Sequence, residues 1–289
     1  QEELERAYEL DETDARVFLE LDQLYKKLEV PFEQRIQNYE KHPEVIEERD
    51  DVRIEYITLQ NLLGNYKKAY ESIMSHTFRP WEGAEGKITT QYKIALLEMA
   101  KECIDAKEYG QAKDYLEKAL RYPENLGEGR LEGTKDNHIY YYLGICNKAL
   151  GKEQEAHGYF ERASLGDIEP AGVMYYYDQP ADMILYQGLA KRELGKDKEA
   201  RSRFFKLLDY GEQHLNDEMR IEYFAVSLPD FLIFEDDLNR KNKAHCWYLM
   251  GLSSLGLGEL QKAEGFFDKA LSYDANHQNA RMYRKMTLK

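Results

Sequence analysis

An all-α fold, a solenoid of about six helix pairs, is predicted by three observations in this 289-residue sequence. First, an alanine recurs as Ala69, Ala112, Ala156, Ala200 and Ala263, and other positions repeat in register with it. Five residues earlier stands a turn residue: Gly64, Lys107, Gly151, Gly195 and Gly258. Second, a small residue usually sits twelve positions before the alanine (Ile57, then Ala100, Gly144, Gly188 and Gly251), and a bulky apolar one four positions after it (Ile73, Leu116, Phe160, Phe204 and Phe267). Third, with only 7 prolines and long Glu/Lys/Leu/Ala/Tyr stretches, the composition is that of a mostly helical chain.

Each recurring residue has a physical reason. A glycine inside a helix costs about 1 kcal/mol relative to alanine, so Gly144, Gly188 and Gly251 need compensation. Close approach of the partner helix at the recurring alanine would supply it, with the bulky residues filling the remaining grooves. The turn glycines suit the left-handed residue that ends a first helix. The spacing therefore predicts two antiparallel helices per unit and about fourteen helices in all.

Along the chain, ERAYELDETD reads as the end of a second helix, like KALSYDANHQ near the C-terminus. Asp14 to Tyr39 reads as a degenerate pair with Phe18, Leu21, Leu24 and Leu28 on one face. A half unit at residue 1 suggests that the chain is cut from a longer protein. The cleanest unit is AHCWYLMGLSSLGLGELQKAEGFFDKALSYDA, where Trp247, Met250, Gly251, Ala263, Phe267, Ala270 and Asp274 match the W, L, G, A, F, A and D of the tetratricopeptide pattern. This resembles the tetratricopeptide repeat (TPR) family, and the resemblance implies a right-handed superhelix. Residues 93–123 and 137–164 match nearly as well. The organisation expected is one domain, 1–289: degenerate repeats over 1–48, TPR-like pairs with insertions over 49–136 and 137–208, and a long insertion over 209–243. The best-matching pair and a closing helix, HQNARMYRKMTLK, follow over 244–289.

The alanines are 43, 44, 44 and 63 residues apart, whereas a plain repeat has about 34. The surplus always follows a second helix, so the insertions 77–87, 122–137, 165–181 and 209–243 should line one edge, where loops on a repeat scaffold tend to bind. They concentrate aromatics and carboxylates. Arg79, Trp81, Glu82, Tyr122, Glu124, Tyr175, Tyr176, Tyr177, Asp178, Asp230 and Phe231 are the candidate binding residues. Aromatic faces can stack on sugar rings while carboxylates accept hydroxyl hydrogens; the same aromatics can equally fill gaps between widened repeats. HTFRPWEGAEGK, YPENLGEG, YYYDQP and YFAVSLPDFLIFEDDLN are similar to the C-terminal repeats of a bacterial family in which a galactose-mutarotase-like β-sandwich precedes the repeats. That likeness implies a carbohydrate context and an upstream domain.

Charge narrows the function further. The formal net charge of −14 disfavours nucleic acid and anionic membranes. Cys103, Cys146 and Cys246 are far apart, as expected of reduced thiols in a cytoplasmic protein. Gly86-Lys87 is followed by Ile88, which rules out a phosphate loop; no HExxH or GxSxG occurs, and EDDLNRKN lacks the central glycine of a calcium loop. No metal or cofactor is expected. The function expected is a non-catalytic module binding a protein segment or the upstream domain. The alternative is that insertion residues contribute to a carbohydrate-active site shared with that domain.

Overall fold

The computed structural model describes residues 2–79, 81, 83–172, 179–219 and 237–288. Among these residues it holds fifteen α-helices, one 3₁₀ turn at Glu124–Leu126 and no strand. Two compact units are present, one built on Gln1–Ala106 and Glu117–Arg130, the other on Lys107–Leu116 and most of the chain from Leu131 onward. The predicted all-α class is the one observed among the described residues.

The first unit starts with α1 (Glu2–Leu10), α2 (Ala15–Lys27) and α3 (Phe32–Lys41). Asp14 starts α2 by accepting from the Arg16 and Val17 amides. Phe18 and Leu21 are buried as predicted, whereas Leu28 is exposed. A buried polar cluster joins α2 to α3 beside the edge-on contact of Phe18 with Tyr39. Arg35, 1% exposed, donates two bonds to Asp22 (2.8 and 2.7 Å), and the Tyr39 hydroxyl donates to the same carboxylate at 2.7 Å. Glu55 lies 3.6 Å from Arg35 and 3.3 Å from Lys26. This links the N-terminal pair to α5 (Asp50–Leu62), which a short α4 (Pro43–Glu48) precedes. Then come α6 (Tyr66–Met74) and α7 (Lys87–Asp105), with Asn61 of α5 bonded through Nδ2 to Gln91 of α7.

The remaining helices are α8 (Tyr109–Ala119), α9 (Asn137–Ala149), α10 (Glu153–Ala163), α11 (Asp182–Glu193), α12 (Asp197–His214), α13 (Leu238–Leu257), α14 (Leu260–Tyr273) and α15 (Gln278–Met286). All five predicted turn residues adopt left-handed φ: Gly64 82°, Lys107 62°, Gly151 73°, Gly195 73° and Gly258 81°. Four of the turns share one hydrogen-bond pattern. The glycine amide returns to the third residue before it (Gly151 to Lys148, 3.0 Å), and the next amide to the fifth residue before itself (Lys152 to Asn147, 2.9 Å). Both carbonyls left over at the helix end are thereby satisfied, and the second helix begins at once.

In the second unit, the bulky residues fill the space beside the helical glycines, as the spacing leads one to expect. It is the phenylalanine four residues past the alanine that covers them. A Cβ added at Gly144 would lie 2.5 Å from Phe160, at Gly188 2.3 Å from Phe204, and at Gly251 2.5 Å from Phe267. Phe204 also presses on Gly256 of α13, 2.4 Å from an added Cβ, so one ring is clamped by successive first helices. A second recurrence lies on the outside. Tyr140 stacks on Tyr159 with Arg162 over the Tyr140 ring (5.9 Å), and at the corresponding positions Trp247 packs on Phe266 with Lys269 over the indole (4.1 Å).

Candidate binding cleft

The insertions leave the helix pairs from fixed points, because a side chain caps the carbonyl end of each preceding second helix. Asn125 donates to the Ile73 and His76 carbonyls after α6, both at 2.8 Å. The Tyr92 hydroxyl serves the Lys118 and Arg121 carbonyls. Asn137 donates to Ala163 and Leu165 after α10, Asn242 to His214 at the end of α12, and Arg240 to Tyr273 at the end of α14. Asn137 and Arg240 sit in the first turn and Tyr92 and Asn242 in the second turn of first helices, which antiparallel pairing brings beside the ends of second helices.

In the first unit the first two insertions are bonded to each other. The Phe78 amide donates to the Asn125 carbonyl at 2.8 Å, and the Gly86 amide to Glu128 Oε2 at 2.9 Å. Burial, against the pull of the Gly86 amide, raises the Glu128 carboxyl above its ordinary pKa. Phe78, Ala84 and Leu126 are buried beneath this junction. Beside it opens a cleft of about 480 Å³ lined by Glu47, Glu48, Arg49, Asp50 and Asp51 from the α4–α5 junction and by His76, Thr77, Arg79 and Trp81 from the first insertion.

Its charges are largely matched. Asp50 accepts the Arg79 amide (2.7 Å) and lies 2.7 Å from His76 Nε2, whose ring meets Phe78 edge-on. Arg49 donates two bonds to Asp51 at 3.0 and 2.6 Å, and these hold the guanidinium above its already high pKa. Arg53, almost wholly buried, pairs with Glu47. The Glu48 and Arg79 side chains and the indole of Trp81, 38% exposed, face solvent.

Of the candidates predicted from sequence, Arg79 and Trp81 line this cleft. Tyr122 is not among its lining residues; half-buried, it meets Tyr92 edge-on at 6.4 Å, and burial, then Tyr70 and Tyr122 nearby, pushes the Tyr92 hydroxyl up to about 12. Glu124 is exposed at the start of the 3₁₀ turn. Glu82, Tyr175, Tyr176, Tyr177, Asp178, Asp230 and Phe231 lie outside the described residues. Sequence reasoning missed Glu47–Asp51 and His76. The signal was the EERDD run directly before the first regular pair, the densest local charge in that part of the chain.

In the second unit the third insertion is tied down by Gln179, which bonds both backbone groups of Asp167, and by Gln187, which donates to the same carbonyl. His245 Nε2 lies 3.0 Å from the Ala171 carbonyl; burial pushes its pKa down to about 4 and that of neighbouring Cys246 up to about 12.

No protein-family model matches the chain. Among solved structures it is similar to a tetratricopeptide repeat protein from Parabacteroides merdae ATCC 43184 (TM-score 0.43, 14% identity, covering 100% of this chain and 91% of that one). It is also similar to a chain of the APC/C hetero-tetramer Cut9–Hcn1 (TM-score 0.41, 13% identity, 99% of this chain), of which it spans 45%. A third similar structure is YrrB, a TPR protein with an unusual peptide-binding site (TM-score 0.30, 17% identity, 84% of this chain and 97% of that one).

Proposed function

We propose that this chain is a non-catalytic scaffold that binds polypeptide, either a protein partner or another domain of its own polypeptide, with the Arg79–Trp81 cleft as one contact surface. The observation that carries this is the state of the cleft's charges. Asp50, Asp51 and Glu47 are already engaged by His76, Arg49 and Arg53, which fixes the walls. Glu48, Arg79 and Thr77 offer acceptors and donors beside an aromatic face, the complement of a peptide backbone and its side chains. An upstream galactose-mutarotase-like domain would be one such occupant. No described helix is long and apolar enough to cross a membrane, and three buried free cysteines suit the cytoplasm.

A second reading is favoured by one observation. The half-exposed Trp81 indole beside Glu48 and Arg79 could stack on a sugar ring while the charged groups engage its hydroxyls. In that reading the cleft contributes to a carbohydrate site shared with an upstream domain.

Titration followed by Trp81 fluorescence in a Trp247→Phe background separates the two. Peptides should quench or shift the emission and lose at least tenfold in affinity in Arg79→Ala. A response to oligosaccharides and none to peptides would replace the first reading by the second. Silence toward both would overturn each.

A further inference from the structure

The two tryptophans of the chain have opposite surroundings. Trp247 packs on Phe266 at 5.6 Å and carries the Lys269 ammonium over its ring at 4.1 Å. Other rings are covered by the chain's own cations in the same way: Tyr140 by Arg162 at 5.9 Å, Phe204 by Arg192 at 5.2 Å and Tyr56 by Lys68 at 5.8 Å. Trp81 is half-exposed at the cleft, and among the described residues neither a ring nor a cation lies on its indole. The cleft lining is unbalanced toward acid, with the carboxylates of Glu47, Glu48, Asp50 and Asp51 against the guanidiniums of Arg49 and Arg79. Three of these carboxylates have partners: Asp51 takes both bonds of Arg49, Glu47 pairs with Arg53, and Asp50 holds His76 Nε2 and the Arg79 amide. Glu48 is exposed, and its carboxylate accepts no hydrogen bond among the described residues.

We propose that the cleft receives an arginine from a partner's peptide segment, its guanidinium stacked on the Trp81 indole and paired with Glu48. The proposal rests on the polypeptide reading of this cleft and names the side chain that the cleft selects. Charge decides the class of that side chain. A carboxylate on the segment would find Arg79 but would also face four carboxylates, whereas a cation meets an acid excess and a vacant aromatic face. The net charge of −14 draws a basic partner in from a distance. Shape then favours arginine over lysine. A planar guanidinium stacks flat on an indole, presents a two-pronged donor edge to a carboxylate, and sheds its water more readily than an ammonium. Glu47, Asp50 and Asp51 keep their own partners throughout, so Glu48 is the acceptor left for the ligand. Arg79 is left to donate to a main-chain carbonyl of the segment, as the broader reading requires.

The probes are synthetic peptides, acetyl-GSRSG-amide and its forms with citrulline, lysine or glutamate at the centre. The readout is the pair of tryptophan indole N–H resonances of the nitrogen-15-labelled full chain. Trp81→Phe assigns the Trp81 resonance, and Trp247 serves as the internal control. The arginine peptide should shift the Trp81 resonance and leave that of Trp247 in place. Citrulline has the shape of arginine without its charge and should bind at least tenfold more weakly. Lysine should bind about threefold more weakly than arginine, and glutamate should leave both resonances unmoved. In Glu48→Gln the arginine peptide should lose about fivefold in affinity while the citrulline peptide loses nothing. The proposal is overturned if citrulline, lysine or glutamate matches arginine, or if Glu48→Gln leaves the arginine-to-citrulline ratio unchanged. In each of those cases the cleft still binds peptide, so the broader reading stands. A Trp81 resonance unmoved by every peptide would overturn this proposal and the cleft reading together.

Discussion

Gly188→Ala and Gly158→Ala are the same chemical change inside two helices, and the structure requires opposite outcomes. At Gly158 in α10, and likewise at Gly265 in α14, an added Cβ meets nothing within 4 Å. There alanine gains helix propensity alone, and stability should rise by about 0.5–1 kcal/mol. At Gly188 in α11 the same Cβ lands 2.3 Å from Phe204 Cε1 and 2.7 Å from Cζ. The ring is wholly buried and has little room to step back, because it also sits close against Gly256 of α13 and the Arg192 guanidinium lies over it at 5.2 Å. Arg192 is itself bonded to the Gly256 carbonyl at 2.6 Å. Overpacking of a site that cannot relax costs about 1–3 kcal/mol, and this clamp belongs at the upper end. After about 1 kcal/mol of propensity gain, the net loss at Gly188 is about 1–2 kcal/mol. Urea denaturation followed by circular dichroism measures both variants. The double variant Gly188→Ala/Phe204→Leu should then show a favourable coupling of about 1 kcal/mol or more. A Gly188→Ala chain as stable as Gly158→Ala would refute the assignment of Phe204 to that glycine and with it the helix-pair register.

The other expectations concern turns, the buried ion cluster and pH. Lys107→Gly should stabilise or leave stability unchanged, since Lys107 alone among the five turn residues bears a side chain at left-handed φ, at a strain of about 1 kcal/mol; Gly151→Lys should destabilise in the same melt. Arg35→Met should cost about 3–5 kcal/mol by stranding Asp22, and adding Asp22→Leu should recover much of that loss, as thermal unfolding will record. Stability should fall as pH drops from 6.5 toward 4, because burial holds the folded pKa of His245 near 4 while the unfolded chain takes up its proton near 6.5. The stabilisation is complete above 6.5 and is lost by about 3 kcal/mol on reaching the folded pKa; His245→Gln should flatten that slope.

The repeats were legible in the sequence because their positions answer to backbone and packing geometry, which is local. A glycine five residues before an alanine implies a left-handed turn, and the turn appears at every predicted place, even where Lys107 stands in. What fills the space beside the helical glycines was legible as a pair of positions, the alanine and the bulky residue four later, but not as a contact. Alanine and phenylalanine lie one turn apart on the same face, and only the crossing of the helices decides which ring reaches the gap. The polar cluster of Asp22, Arg35, Tyr39 and Glu55 was invisible for a related reason. Its members are spread over three helices at no repeating interval, and each taken singly reads as a surface residue in a highly charged chain. The cleft was half legible. Trp81 and Arg79 stood out as unusual residues in an insertion, but their partners came from EERDD, a run whose composition reads equally as a solvated helix start.

Stability and recognition are separated along this chain by what repeats and what does not. The recurring positions are occupied by side chains with one task each: a glycine that lets a ring in, the ring itself, a left-handed turn, a residue that caps the neighbouring helix end. None of these can be altered for binding without unmaking a pair, as the contacts at Gly188 and Gly256 make plain. If the chain is the proposed scaffold, recognition is free to vary where the register lapses, in the insertions and the α4–α5 junction. The described cleft lies at such a lapse, yet it is built on a rigid root, for Asn125 fixes the base of the first insertion. Loops held this way lose little conformational entropy on binding, so under the proposed function the caps at the helix ends would serve affinity as well as stability. Removing one, as in Asn125→Ala, should weaken peptide binding at Trp81 without changing any residue that touches the peptide.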